Sequence, residues 1–114
     1  MQIEIKGRNR LVDDALREHV QRRFAKVEKQ VSEFARLELE VWHERNPANP
    51  DCEVAEATLH LKGVVLRARD ASRDMTHSVN LVAEELSRQV KRHRDKRRRR
   101  REARAIDADL TSPA

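Results

Sequence analysis

The stretch KRHRDKRRRRREAR, from Lys91 to Arg104, holds ten bases and two acids, with five arginines in a row. The chemistry such a run does well is charge neutralisation: guanidinium groups stay protonated and donate in fixed forks to phosphate or carboxylate oxygens. From Arg88 to Arg104 there are eleven bases and two acids, a local charge of +9; the other 14 bases and 18 acids leave −4, so the net +5 conceals one cationic region. That asymmetry points to a polyanionic partner, most often nucleic acid.

Residues for catalysis or metal binding are sparse. His19, His43, His60, His77 and His93 are spread over separate elements with no HxxxH pair, and one cysteine cannot supply a thiolate cluster. Among them, only His43 and His60 fall on neighbouring strands, where they are expected to be able to approach one another. Two glycines give no phosphate-cradling loop. Acids alternate with bases along the helices as solvated pairs rather than as a catalytic dyad. Cys52 reads as a small packing residue, with no base placed beside it by the sequence. The expectation is a protein with no catalytic residue, no metal, no cofactor and no small-molecule substrate.

Compartment follows from what is absent. A lone Cys52 rules out an internal disulfide and fits a reducing environment. The opening MQIEIKGRNR has no apolar run of signal-peptide length, and no segment is apolar enough to span a bilayer. A cytoplasmic protein with no membrane partner is expected.

The elements that must position the bases are legible from periodicity. Ile3 and Ile5 alternate with Gln2, Glu4 and Lys6 as a short strand, closed by Gly7. From Leu11, the residues Val12, Leu16, Val20, Phe24, Val27 and Val31 recur at helical spacing, predicting one helix from about Val12 to Gln30. Leu37, Leu39 and Val41 then alternate with polar partners as a second strand, which puts Trp42 on the opposite face as the exposed aromatic. Asn46, Pro47, Asn49 and Pro50 make a loop. A third strand runs from about Cys52 to Leu61, Lys62 and Gly63 turn it, and Val64 to Arg69 returns as a fourth.

Ser72 or Asp74 can cap a last helix whose buried stripe is Met75, Val79, Val82, Leu86 and Val90. Nothing breaks it before Pro113. The order β-α-β-β-β-α, with two amphipathic helices packed on one face of a four-stranded sheet, is an α+β fold. Residues 1–96 form the domain, and 97–114 a basic tail or linker, disordered or a frayed helix end, finishing in DADLTSPA.

On the last helix Arg88, Lys91 and Arg92 project away from the buried stripe. Arg22, Lys26 and Lys29 do so on the first, with Arg23 on its flank. Side by side, the helices would present two basic rows across one groove, suited to backbone phosphates and salt-sensitive in its binding. With Trp42 as the single exposed aromatic, a base-stacking platform is not indicated, and recognition of folded RNA by shape and phosphate fits better.

The segments IEIKGRN, DALREHVQRRFAKVEK, EATLHLKGVVLRARDASRDM and LSRQVKRHRDK together resemble the ribosome hibernation promoting factor family, which includes ribosome-associated protein Y. The resemblance spans about Met1 to Lys96. It implies the same β-α-β-β-β-α fold and a stress or stationary-phase factor. Such a factor binds the small ribosomal subunit and its 16S ribosomal RNA between head and body, where messenger and transfer RNA would lie.

Translation is thereby blocked and idle ribosomes are preserved; short forms act with ribosome modulation factor to form ribosome dimers. By position, the family's basic residues match Arg23, Lys26, Arg88, Arg92, Arg94 and Lys96, while Arg22, Lys29 and Lys91 join them on geometry alone. The last helix departs from the family's DMYAAID, reading DMTHSVN, and Glu85 stands where lysine is common. A general binder of double-stranded or structured RNA is the alternative function.

Overall fold

The expected strands are all present in the computed structural model, which describes residues 1–45 and 48–111. The elements are β1 (Gln2–Arg8), α1 (Asp14–Arg23), α2 (Ala25–Gln30), β2 (Arg36–His43), β3 (Glu53–Leu61), β4 (Val64–Ser72) and α3 (Met75–Thr111). The sheet order is β1-β2-β3-β4. β1 runs parallel to β2, with Ile3 opposite Leu37, and β2 to β4 form an antiparallel meander in which Leu39 faces Ala57 and Leu59 faces Leu66. Of the proline-rich loop, Asn46 and Pro47 lie outside the described residues, as does the terminal stretch with Pro113.

Alternation sets what each face of the sheet does. Leu37, Leu39, Val41, Ala55, Ala57 and Leu59 are buried against the helices, joined by Val20, Phe24 and Val27 from one side and by Met75, Val79, Val82, Leu86 and Val90 from the other. With two phenylalanines in the chain, this core is built from medium aliphatic side chains, each costing about 2–5 kcal/mol if a buried leucine is cut back to alanine.

The first helix differs from its expected form. It is two helices, bent at Phe24, whose φ of −88° and ψ of 1° fall in the bridge region of backbone space. Helical bonding carries on through the bend: the Phe24 N–H donates to the Val20 carbonyl and the Glu28 N–H to the Phe24 carbonyl, both at 2.9 Å. The distortion sits at a fully buried aromatic side chain while the buried stripe passes straight through it, which is why periodicity does not reveal it. Leu11, which headed the expected stripe, is 83% exposed. It lies outside the helix, ahead of Asp13, whose carboxylate caps α1 by accepting from the Leu16 N–H at 2.8 Å.

Gly7 lies inside β1, opposite Val41, rather than at its end. A Cβ there would come within 2.1 Å of the Arg10 carbonyl, so the return of the chain after the strand requires glycine. Gly63 has φ of 79° and supplies the β3–β4 turn as expected.

α3 is capped by Asp74, which accepts from the Thr76 N–H at 3.3 Å, with Ser72 Oγ accepting from the Asp74 N–H at 3.2 Å. Its first turn is pinned to the sheet by Ser78, fully buried, whose hydroxyl lies 2.6 Å from the Glu53 carbonyl and 2.7 Å from Ser72 Oγ. The helix is 37 residues long, about 55 Å at 1.5 Å per residue, and continues without a break past Lys96.

Candidate nucleic-acid interface

Two polar bridges hold the helices side by side. His19 of α1 meets Asn80 of α3, Nε2 to Oδ1, at 2.8 Å, and Ser87 Oγ donates to Gln30 Oε1 at 3.2 Å. Between them lies a cleft of about 800 Å³. Arg22, Arg23 and Lys26 line one wall, and Arg88, Lys91 and Arg94 the other, with the buried Ala83 and Ser87 also lining it.

All six cations are exposed. Arg88 is the one already engaged, donating to Glu85 through Nη2 at 2.8 Å and Nε at 3.2 Å. That hydrogen bond, followed by one from Gln89, holds the Glu85 carboxyl below the usual glutamate range. Arg22, Arg23, Lys26, Lys91 and Arg94 form no ion pair among the described residues, and Glu84 is the single acid on the cleft. Concentrated, unpaired charge on two facing walls is the arrangement that releases counterions when a phosphate backbone enters.

Six of the nine expected contact residues are thus brought together, and Lys29, Arg92 and Lys96 are not. At about 100° per helical residue, Arg92 and Lys96 turn roughly 40° and 80° from Arg88. They turn away from the cleft, toward the flank where the Gln89 amide donates to the Arg67 carbonyl of β4 at 2.8 Å. Lys29 lies on α2, exposed but off the cleft lining. Sequence alone does not assign His19, Asn80, Gln30 and Ser87 this bridging role. Their signal was weak: polar residues at the margin of each apolar stripe, whose partners lie about sixty positions away.

The open face of the sheet overturns one expectation. Trp42 does point away from the helices, yet it is 6% exposed. The Arg8 guanidinium lies 4.4 Å from the ring centroid and that of Arg69 lies 5.1 Å from it. Both arginines are tethered by glutamates, Arg8 to Glu40 at 2.9 Å and Arg69 to Glu44 at 3.1 Å. The indole is covered by cation–π contacts, and the exposed aromatic is instead Phe34, at 88%.

His43 and His60 do not approach, because the β2–β3 register sets His43 opposite Glu53 and His60 opposite Arg36, at opposite ends of the strands. His43 Nδ1 instead lies 2.6 Å from Glu53, and donor atoms of His43, Cys52 and Glu53 all fall within 4.8 Å of one another. A titratable base therefore does sit near Cys52, brought there by strand pairing. Glu53 is also paired to Arg10, so its charge is already answered within the protein.

These elements define a four-stranded α+β domain whose cationic surface is a cleft between helices. The chain belongs to the family described as Sigma 54 modulation protein / S30EA ribosomal protein, which matches residues 3–98. It is 32% identical over 104 residues to a ribosome hibernation promotion factor of Lactococcus lactis, covering 88% of this chain and 53% of that protein. To the ribosome hibernation promoting factor of Salmonella typhimurium it is 31% identical over 96 residues, covering 84% of this chain and 96% of the relative.

A Picosynechococcus relative of the same description is matched over 50% of its length, so the chain spans about half of some curated relatives and nearly all of others. The fold is that of a ribosomal subunit interface protein from Coxiella burnetii, with a TM-score of 0.70 at 20% identity, covering 83% of this chain and 99% of that one. It also matches the Thermus thermophilus Protein Y N-terminal domain, with a TM-score of 0.69 at 22% identity, over 82% of this chain and 99% of that one. No helix among the described residues is long and apolar enough to cross a membrane.

Proposed function

We propose that this chain is a ribosome hibernation factor that binds 16S ribosomal RNA in the messenger and transfer RNA channel of the small subunit, in the cytoplasm. Occupying that channel would inhibit translation and keep idle ribosomes intact. The observation that carries the reading is the cleft: Arg22, Arg23 and Lys26 facing Arg88, Lys91 and Arg94, in a chain whose family relatives are named as hibernation factors. The sheet offers no stacking platform because Trp42 is covered. Recognition therefore rests on phosphates and RNA shape. Inhibition by occupancy needs no bond making, so the activity is non-enzymatic, and binding is reversed by salt.

Occupancy gives the reading its test. The protein should exclude transfer and messenger RNA from purified small subunits in a filter-binding competition, at concentrations where it leaves a free RNA duplex largely unbound. Equal affinity for the duplex and no competition on the subunit would favour a general structured-RNA binder instead. Sucrose-gradient profiles with and without ribosome modulation factor then test whether that factor is a partner and whether ribosome dimers follow.

A further inference from the structure

The arginine run is helical, and its geometry assigns it a task separate from the cleft. The Gln89 amide bonds to the Arg67 carbonyl, which fixes the level of α3 against β4. β4 begins at Val64, three residues before Arg67 and about 10 Å along the strand. A helix covers that distance in about seven residues, so α3 clears the sheet near Lys96. Residues 97–105 beyond it are exposed, and the molecule is 69 Å long but only 30 Å across at its second extent.

The direction of each arginine follows from the same periodicity. Carried forward at about 100° per residue, the buried stripe Met75, Val79, Val82, Leu86 and Val90 reaches Arg97, Arg100 and Arg104. The cleft-facing line of Lys91 and Arg94 continues through Arg98 and Arg101, and Arg99 covers the remaining flank. Where the apolar underside ends, arginine takes its place, and the arm is cationic all round. Among its described side chains the one ion pair is Arg98 to Glu102, at 4.0 Å with both partners about two-thirds or more exposed.

Like charges three and four positions apart repel along a helix, so with one long ion pair among its described side chains this arm has little internal compensation and suits a partner that surrounds it. A second copy cannot pack on it, since no apolar stripe remains. A membrane surface would need an amphipathic helix, which this is not. An acidic protein face would be met by one side of the helix and leave the others unanswered. RNA segments lying on two or more sides would answer all of them.

We propose that Arg97–Arg104 is a second RNA-binding element, which inserts between RNA segments outside the cleft and takes phosphates on several sides. It deepens the ribosome-binding reading and rests on it for where that RNA lies. The test uses the full chain with R97Q/R98Q/R99Q/R100Q/R101Q, since glutamine keeps helix propensity and loses charge, beside a cleft variant R22Q/R23Q/K26Q. Circular dichroism checks that each remains folded. Binding to purified small subunits is followed across salt, with hydroxyl-radical footprinting of their RNA.

The arm variant is expected to lower affinity at least tenfold, to flatten the log–log salt slope by about 3 to 4, and to lose protections that the cleft variant keeps. An unchanged slope and footprint would overturn the arm while leaving the cleft reading standing. If the unmodified chain protects no subunit RNA at all, the ribosome reading falls. The arm is then judged on a 20-base-pair RNA duplex, where lost affinity in the arm variant upholds it and retained affinity overturns it. An equal loss of binding to polyglutamate would assign the arm to acidic proteins and overturn the RNA proposal.

Discussion

His19 and Asn80, sixty-one positions apart in sequence, meet at 2.8 Å and tie α1 to α3 beside the cationic cleft. With Gln30 and Ser87 they set the spacing of its two walls, so the charges on those walls depend on uncharged residues for their separation. Asn80→Ala should cost about 1 kcal/mol of stability, the usual worth of one hydrogen bond, and weaken ribosome binding although no cation is touched. Urea denaturation and co-sedimentation with small subunits measure the two effects separately.

Ser78 is the polar residue on which the start of α3 depends. Fully buried, it sits within hydrogen-bond reach of the Glu53 carbonyl and of Ser72. Ser78→Ala changes the volume little and removes the hydroxyl, leaving the Glu53 carbonyl and Ser72 without that partner at a cost of about 1–3 kcal/mol. A drop in urea midpoint with unchanged slope checks it.

Arg8 and Trp42 give an optical reporter, because the chain has one tryptophan. Arg8→Ala should uncover the ring on the β1 side, shift its emission to longer wavelength, and cost about 0.5–1 kcal/mol. The cleft lies on the other face of the sheet, so RNA binding should not change.

Arg88 holds the Glu85 carboxyl below its ordinary value. A depressed folded value means that the pair's contribution to stability is present above the ordinary glutamate range and fades as pH falls through the lowered one. In Arg88→Gln the Glu85 titration, followed by carbon NMR, should move up toward the ordinary value, and acid should then remove less stability. Arg88 is exposed and Glu85 only partly buried, so the effect on overall stability is small.

Much of the fold was legible because strand alternation and helix stripes are local signals. Ile3 and Ile5, the Leu37 to Val41 alternation and the Met75 to Val90 stripe each declare an element without reference to the others. The bend at Phe24 was not legible, since backbone geometry can change while a stripe continues. Trp42 misled for a different reason: its face was right, but its cover comes from Arg8 and Arg69 on strands whose register no local pattern fixes. The cleft was half legible. Lys26 and Arg88 follow from helical spacing and Arg23 from the family resemblance, whereas the turn of Arg92 and Lys96 toward β4 depends on how α3 is rotated on the sheet, which Gln89 and Arg67 report.

If the two facing walls bind ribosomal RNA together, reversing the charge on both abolishes binding. Co-sedimentation of the full chain with purified small subunits should be lost in R23E/K26E/K91E at a salt concentration where the unmodified protein binds fully. Circular dichroism should show the variant folded. Full retention of binding by that folded triple variant would mean that the cleft does not hold the RNA.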